Sequence, residues 1–384
     1  MKAPSSMHII YILTKLELGG AQKVCLSLFR GVKNTEHSSS LITGEQGELV
    51  SEAKKYDNVF LLSSLKREVG FGSFFSELRT FRALIKILKD LKKKHSNVIV
   101  HTHSTKAGII GRWAAFFVGI KKRVHTIHGY GFHDHQPKWQ WNLIFFLEYL
   151  TSLITSKFIC VSEKDLKTGA ELFPKFKKKA VLIRAAVDWD IFYLPAKKMM
   201  LNLNQPFRIG TFSCFKPQKN LLDLFKAFHY ACELNPDHNM RLEIIGDGPQ
   251  ATMLHEFTDQ YNIAHITTFH GWQHSPISFL KQWDLFAMSS LWEGLPCSII
   301  EARLQKIPVV AYNVGGINEV IESGRNGYLI EPGNWQQLGS YFASLSSNPA
   351  LHNRLTNYED NLSAFNKVVM IQEHLSLYQK IVLK

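Results

Sequence analysis

Short apolar, β-branched runs recur along the chain and alternate with longer segments in which apolar residues follow a helical spacing. The runs in the first half predict strands over His8–Thr14, Val59–Leu62, Val98–His101, Arg123–Ile127 and Lys157–Val161. The segments between them predict helices after Gly20 and over Ser76–Lys94, Gly108–Val118 and Trp139–Ser156. Strands that alternate with helices are typical of parallel sheets, so the chain is predicted to be an α/β protein.

Around Tyr193–Pro206 the pattern breaks into proline, lysine, asparagine and glutamine, and a second alternating set follows. Its strands are predicted over Phe207–Phe212, Arg241–Ile245, Ile266–Phe269, Leu285–Met288, Val309–Tyr312 and Gly327–Ile330. Helices are predicted over Leu221–Leu234, Thr252–Tyr261 and, at the end, Phe365–Leu383. Because 384 residues exceed what one core usually serves, we predict domains over 1–198 and 199–365 and a C-terminal helix over 366–384.

The segment Trp141–Ile154 is apolar apart from one charge, Glu148. It is shorter than the ~20 residues that cross a bilayer, and alternating structure flanks it on both sides. We therefore predict a helix buried between the domains rather than a membrane span.

Composition narrows the class of protein. With 45% hydrophobic and 20% charged residues, the chain is typical of globular proteins. Its five scattered cysteines, without a CxxC pair, argue against a disulfide framework and a zinc ribbon, and the first residues lack the features of a secretion signal. These features predict a reducing, cytoplasmic location.

Positive charge is concentrated in the first half. Residues 1–200 hold 32 Lys and Arg against 16 Asp and Glu, a net +16, whereas residues 201–384 hold 13 against 16, a net −3. Such asymmetry indicates either an anionic partner or a basic surface that only aids solubility. No nucleic-acid motif accompanies the charge, so nucleic acid is not expected as a partner.

Two constellations in the first half could carry chemistry. At Gly19-Gly20, after the first strand, a backbone without Cβ can approach a ligand and helix amides attract anions, although a plain tight turn explains the pair equally well. Histidines also cluster at positions 101, 103, 125, 128, 133 and 135, but no carboxylate or cysteine spacing supports a metal site. His128, which precedes Gly129 where the strand ends, better fits a side chain at the ligand edge of the sheet.

The most specific motif is the run Trp292-Glu293-Gly294-Leu295-Pro296-Cys297-Ser298-Ile299-Ile300-Glu301-Ala302. Its two carboxylates bracket a loop that becomes a helix, and free amides at a helix start suit phosphate oxygens. Pro296 lacks an N–H, so Cys297 and Ser298 would supply those amides. Glu293 is placed to accept sugar hydroxyls and Glu301 to reach a ribose, while two solvated glutamates at a helix start are the structural alternative.

Further turns accompany the other strands of the second half. They are Lys216-Pro217-Gln218-Lys219-Asn220, Ile245-Gly246-Asp247-Gly248-Pro249, Phe269-His270-Gly271-Trp272, Gly315-Gly316-Ile317-Asn318-Glu319, and Asn326-Gly327-Tyr328, which leads into a strand. In this order the motifs resemble those of glycosyltransferase family 4, and the Gly-Gly-Ala and Thr-Ile-His-Gly segments extend the resemblance to nearly the whole chain. The segment Thr126–His133 resembles the subgroup that builds bacterial surface polysaccharides.

The resemblance implies the GT-B fold, in which two Rossmann-like domains have parallel sheets that face each other across a cleft and the C-terminal helix returns to the N-terminal domain. It also implies retaining transfer of a sugar, as in a hexosyltransferase, from a nucleotide-diphosphate donor, preferably UDP. The acceptor would be a saccharide, free or lipid-linked, in the synthesis of surface polysaccharide, lipopolysaccharide or capsule.

Residue roles follow from the same resemblance. Lys219 resembles the lysine on the donor diphosphate, Glu293 the carboxylate on the donor sugar, and His128 the first-domain histidine near the reacting centre. These three are the expected catalytic residues. Donor binding is expected from Gly20, Lys216, Lys219, Gly246, Gly271, Trp272, Glu293, Leu295, Cys297, Ser298 and Glu301.

The chain departs from the family at one position. Where the family usually has arginine, five residues before the lysine, this chain has Cys214. A thiol cannot replace a guanidinium, so Lys216 is the nearest cation that could complete the diphosphate clamp. The departure motivates one alternative, a catalytically weak sugar-nucleotide-binding subunit, and a nucleotide-sugar hydrolase or epimerase of the same fold is another.

Two further expectations concern cofactors and location. No metal is expected, because lysine and helix amides would stabilise the departing diphosphate. Three basic clusters, at 92–94, 121–123 and 177–179, suggest peripheral contact with the anionic inner face of the cell membrane.

Overall fold

A computed structural model describes residues 6–33, 35–66, 73–193, 201–237 and 239–383. The chain forms two compact units, an N-terminal unit of Met1–Ala186 with Lys367–Lys384 and a C-terminal unit of Val187–Asn366. The predicted boundary at 198/199 lies outside the described residues. The division falls earlier, because Trp189–Phe192 packs on the helix Cys297–Leu304, where Gln305 Nε2 donates to the Phe192 carbonyl.

The described residues of the N-terminal unit form a seven-stranded parallel sheet with helices between the strands. The strands are β1 His8–Ile12, β2 Ser38–Thr43, β3 Val59–Leu61, β4 Val98–His103, β5 Arg123–Ile127, β6 Lys157–Cys160 and β7 Ala180–Leu182. The helices are α1 Gly20–Lys33, α2 Val50–Ala53, α3 Ser73–Lys94, α4 Thr105–Phe117, α5 Lys138–Ile154, α6 Glu163–Leu172 and α7 Phe176–Lys179. The strand order is β3-β2-β1-β4-β5-β6-β7.

The described residues of the C-terminal unit form a six-stranded parallel sheet. The helices are α8 Trp189–Phe192, α9 Leu221–Leu234, α10 Ala251–Gln260, α11 Ile277–Leu280, α12 Cys297–Leu304, α13 Trp335–Ser347 and α14 Pro349–Thr356. The strands are β8 Phe207–Phe212, β9 Met240–Ile245, β10 Thr267–Phe269, β11 Leu285–Met288, β12 Val309–Tyr312 and β13 Gly327–Ile330. Their order is β10-β9-β8-β11-β12-β13.

Both sheets are doubly wound, which confirms the prediction of two Rossmann-like α/β units. In each, the strand order reverses beside the first strand, between β1 and β4 in one unit and between β8 and β11 in the other. The carboxyl ends of the two strands at such a switch point flank the crevice where ligands of open α/β sheets bind. The carboxyl ends of β1, β4, β8 and β11 are therefore the expected position of a ligand site.

The last helix, α15 Lys367–Val382, packs on α1 of the N-terminal unit. Gly31 of α1 lies so close to it that an added Cβ would be 2.8 Å from the Ile371 side chain. Tyr378 of α15 reaches under the sheet, where its hydroxyl is 2.6 Å from Nδ1 of His101. Helix α15 thus packs against α1 and contacts side chains of β1 and β4.

Strand β2 was not predicted, because its sequence Ser-Ser-Ser-Leu-Ile-Thr begins with three serines. These serines are satisfied inside the unit. Ser38 and Ser40 bond the two ring nitrogens of His8, and Ser39 Oγ donates to the Phe29 carbonyl. Hydroxyl groups with partners of this kind can be buried at little cost, so the polar run forms an internal strand between β3 and β1.

Helix α5 corrects another prediction. The segment Trp141–Ile154 is helical, but it is not a buried helix, since the side chains of Leu143, Phe146 and Leu153 are each at least half exposed. Across the described residues, no helix is both long and apolar enough to cross a membrane.

Candidate active site

The turn after β8 and the loop after β11 meet at the switch point of the C-terminal unit. Lys219 Nζ donates to Glu293 Oε1 at 2.5 Å, although the two residues are 74 positions apart. Two neighbouring contacts fix this approach, because Leu291 N donates to the Gln218 carbonyl and the Gln218 side-chain Nε2 donates to the Trp292 carbonyl, both at 2.8 Å. The two predicted catalytic residues of this unit are therefore held together by the fold.

The Lys219–Glu293 pair is only partly withdrawn from water. The lysine side chain is 21% exposed and the glutamate 10%. An ammonium has three donors and a carboxylate about four acceptor sites, and this contact uses one of each. Both groups retain the capacity to bind a ligand without breaking their ion pair.

The Gly315-Gly316 pair braces the Glu293 loop. Gly315 has φ +60°, and an added Cβ would lie 2.3 Å from the carbonyl oxygen of Glu293. Gly316 N donates to the Gly294 carbonyl at 2.6 Å. The sequence predicts a turn here, and the geometry shows that glycine is required because two backbones touch.

Helix α12 begins three residues after Gly294, with Pro296 as its N-cap residue. Leu295 and Cys297 are buried, Ser298 is half-buried, and Glu301 on the second turn is 4% exposed. The first turn carries no acidic side chain. Its amides and the helix dipole therefore favour an anion next to the Glu293 loop.

Two of the predicted donor glycines meet at the ends of β9 and β10. Gly246 N donates to the Gly271 carbonyl at 2.8 Å, and a Cβ on Gly246 would lie 1.8 Å from the Ser213 carbonyl oxygen. Gly246 is therefore required by the packing of the sheet edge itself. Gly271, with φ +63°, has open space around it, and Trp272 beside it is 38% exposed.

Lys216 and Cys214 lie in the bend that follows β8. The amide of Lys216 donates to the Cys214 carbonyl at 2.8 Å, and both side chains are half-buried. Lys216 thus sits three residues before Lys219, at the same sheet edge.

In the N-terminal unit, Gly20 begins α1 after β1, and His128 follows β5. His128 Nε2 is 2.9 Å from Nδ1 of His103, the last residue of β4, so one ring donates to the other. Burial, together with the nearby His374, lowers the pKa of His128 to about 3, and burial also lowers the pKa of His103 well below its usual value. Both rings are neutral at pH 7.

The other histidines of β4 and β5 have separate hydrogen-bond partners. His101 lies on the same face of β4 as His103, and its ring bonds Tyr378 and Thr126, at 2.6 and 2.7 Å. His125 lies on β5, and its Nδ1 is 2.9 Å from Thr102 Oγ1. Within the described ranges, no group of three or more His, Cys, Asp or Glu residues is placed to hold a metal ion.

Sequence reasoning missed Ser104, which follows β4 at the switch point. Its backbone, with φ +61° and ψ +152°, lies in a region that is essentially restricted to glycine. The Ser104 hydroxyl is 3.2 Å from that of Thr14, which follows β1. Strain of this kind persists where surrounding structure enforces it, and nothing in the sequence Thr-His-Ser-Thr signals it.

Comparison with known proteins identifies the family. The model "Glycosyltransferase Family 4" matches residues 18–190, and the model "Glycosyl transferases group 1" matches residues 201–361. UDP-Gal:alpha-D-GlcNAc-diphosphoundecaprenol alpha-1,3-galactosyltransferase of Escherichia coli is 30% identical over 335 residues, which cover 85% of this chain and 84% of that protein. The chain belongs to glycosyltransferase family 4. The capsular polysaccharide biosynthesis glycosyltransferase CapM of Staphylococcus aureus is 24% identical over 332 residues, 82% of this chain and 84% of CapM.

Solved structures place this family 4 glycosyltransferase in the GT-B fold. Anabaena HepE, solved in complex with UDP and glucose, superimposes with a TM-score of 0.79 at 17% identity and covers 97% of this chain and 100% of its own. Sucrose-phosphate synthase from Thermosynechococcus elongatus superimposes with a TM-score of 0.79 at 16% identity, with 98% and 99% covered. At these identities the likeness concerns the fold, and the residue roles remain predictions.

Proposed function

We propose that this glycosyltransferase moves a hexose from a UDP-sugar to a saccharide linked to a lipid diphosphate, with retention of anomeric configuration, in surface-polysaccharide synthesis. The observation that carries the proposal is the Lys219–Glu293 pair beside the start of α12, which combines a cation, helix amides and a carboxylate at one switch point. The name of the Escherichia coli relative supports a UDP-sugar donor and a lipid-diphosphate acceptor. The HepE complexes with UDP support the choice of nucleotide.

The C-terminal unit would bind the donor. As the sugar–phosphate bond breaks, negative charge grows on the diphosphate oxygens. Lys219 and the amides of Cys297 and Ser298 would stabilise that charge, and preorganised donors of this type are effective because they need no reorganisation. Lys219 would contact the diphosphate while it keeps Glu293 oriented towards the sugar hydroxyls.

The acceptor hydroxyl would attack from the face that the leaving group vacates and would pass its proton to the departing diphosphate. Retention then needs no enzyme nucleophile. His128 is neutral at pH 7, so in the N-terminal unit it would offer a hydrogen bond rather than a charge to a substrate hydroxyl. Lys219 and helix amides would take the place of a metal, and the basic N-terminal unit would hold the enzyme at the cytoplasmic face of an anionic membrane.

A transfer assay tests this function. The protein is incubated with radiolabelled UDP-galactose, UDP-glucose or UDP-N-acetylglucosamine and a short-chain GlcNAc-diphosphate lipid, and labelled lipid and free sugar are separated. We expect one UDP-sugar to give labelled lipid, with the same anomeric configuration in the product linkage as in the donor.

The same assay distinguishes the alternatives. Free labelled sugar without labelled lipid would indicate a hydrolase. A donor that raises the melting temperature but yields neither product would indicate a binding subunit. That alternative is suggested by Cys214, which stands where the family usually has arginine. Inversion of configuration would contradict the proposed mechanism.

A further inference from the structure

Helix α5 is apolar on its outward side as well as on part of its inward side, where the half-buried Trp141, Ile144 and Phe145 pack against the core of the N-terminal unit. Its buried residues are Glu148, Thr151 and Ser152, all polar. Its outward residues include Trp139, Leu143, Phe146 and Leu153, which are 69%, 50%, 57% and 56% exposed. A helix on a water-facing surface has polar residues on its outward side, so the exposed apolar side chains of α5 indicate that a partner covers them.

The inward contacts fix the helix in this orientation. Arg112, fully buried on α4, donates to Glu148 Oε2 at 2.7 Å and to the Thr155 hydroxyl at 2.9 Å. Trp113 Nε1 donates to the Thr151 hydroxyl at 3.0 Å. A rotation of α5 that hid its apolar side would break this buried polar network.

The exposed surface continues from α5 onto the end of α4. Phe116 and Phe117 are 43% and 66% exposed, and α4 packs along α5. We call this surface the apolar face, and its members are Phe116, Phe117, Trp139, Leu143, Phe146 and Leu153. Contiguous aromatic and aliphatic surface of this kind marks an interaction site.

Cations surround the C-terminal end of the apolar face. Arg123 Nε donates to the Ile154 carbonyl at 2.6 Å, and Lys179 Nζ donates to the Ser152 carbonyl at 3.0 Å. Lys177 and Lys178, next to Lys179, are exposed. Glu148 is the only acidic residue on α4 and α5, and it is buried against Arg112.

We propose that the apolar face enters the interfacial region of an anionic bilayer, with α5 lying along the membrane surface and the lysines contacting lipid headgroups. Large apolar side chains with cations at their border are the signature of a helix that lies in the interface. A second copy of this chain would have to place its own cations against these, which like charges oppose. The inference rests on the proposed lipid-linked acceptor for its purpose, since it would bring that acceptor's surface to the enzyme.

Vesicle sedimentation without any substrate tests the apolar contribution. Vesicles of phosphatidylglycerol and phosphatidylcholine are compared with pure phosphatidylcholine, using the wild type and the double variant Leu143→Ser/Phe146→Ser. Full burial of one such side chain changes partitioning roughly tenfold or more. We therefore expect the double variant to partition onto the anionic vesicles at least about tenfold more weakly than the wild type. The matched control is Leu234→Ser, an equally exposed leucine of the C-terminal unit, which should bind like the wild type.

A second variant tests the charges. Lys177→Gln/Lys178→Gln should weaken binding to the anionic vesicles at low salt, whereas Lys54→Gln/Lys55→Gln, two exposed lysines elsewhere in the same unit, should not. As salt rises from about 0.1 M to 1 M, the Debye length falls from about 10 Å to 3 Å. At high salt the two lysine variants should therefore bind vesicles equally, whereas Leu143→Ser/Phe146→Ser should still bind more weakly than the wild type.

Two results would overturn the inference. The first is vesicle binding at the wild-type level in both Leu143→Ser/Phe146→Ser and Lys177→Gln/Lys178→Gln, or no vesicle binding by the wild type. The second is a dimer in sedimentation equilibrium that Leu143→Ser/Phe146→Ser dissociates, which would make the apolar face an interface between copies. Transfer to a short-chain, micelle-free acceptor is measured separately and should be unchanged in this variant, so failure of the proposed function and failure of membrane docking give different results.

Discussion

Removal of the Glu148 carboxylate should destabilise the N-terminal unit more than an ordinary surface substitution. In Glu148→Leu, Arg112 keeps its charge, its side chain remains fully buried, and its ionic partner is gone. Removal of one partner of a buried ion pair costs about 3–5 kcal/mol, because the other charge is left uncompensated. For a unit of this size the melting temperature should fall by roughly 6–20 °C.

The magnitude is checked by thermal unfolding followed by circular dichroism. The control is Glu163→Leu, whose carboxylate is 67% exposed in its pair with Arg184 and should cost about 1 kcal/mol or less. The double variant Arg112→Met/Glu148→Leu removes both charges and should recover most of the loss.

A Glu148→Leu protein that melts within about 1 °C of the wild type would refute the reasoning. So would a double variant that is as unstable as the single one. Either result would mean that the pair does not determine which side of α5 faces inward, and the origin of the exposed apolar face would need another account.

Other predictions concern the donor site and the histidines. Glu293→Gln should abolish sugar transfer with an unchanged melting temperature, and transfer at the wild-type rate would contradict its role. Glu301→Ala should mainly weaken donor binding, by roughly 1–3 kcal/mol, and an unchanged donor Kd would contradict that role. Excess chelator should leave transfer unaltered, and activity lost with chelator and restored by a divalent ion would contradict a metal-free mechanism. Since burial lowers the pKa of His128 from 6.5 to about 3, the unfolded chain takes up the proton first, so stability should be lost as pH falls below 6.5. A melting temperature that is constant between about pH 8 and 5 would argue against neutral buried histidines.

Sequence patterns predicted the strands of the C-terminal unit closely, whereas helices α13 and α14 were not predicted. Strands β11, β12 and β13 and helix α9 have the predicted bounds, because their apolar residues follow a clear period and polar, proline or glycine residues flank them. The motif turns lie at the carboxyl ends of the strands that precede them. The contact between Lys219 and Glu293 could not be read from spacing, since it depends on β8 and β11 being neighbours at the switch point.

Sequence patterns failed where a residue's partner decides its environment. The serines of β2 are typical of a loop, and they form a strand because they hydrogen-bond with His8 and Phe29. The sequence of α5 predicts a buried helix because apolar residues are usually buried, whereas its orientation is fixed in part by Arg112, whose contact with Glu148 spans 36 positions. The His103–His128 contact likewise depends on the register of adjacent strands.

The central claim, that Lys219 and Glu293 form the donor site, is tested most directly by calorimetric titration of UDP into the wild type, Lys219→Gln and Lys226→Gln. Lys226, a half-buried lysine on α9 of the same unit, controls for the loss of one charge. Loss of a charge-assisted contact to the diphosphate should raise the Kd of Lys219→Gln roughly 10- to 150-fold, with Lys226→Gln unchanged. A Kd for Lys219→Gln within about twofold of the wild type would contradict the claim.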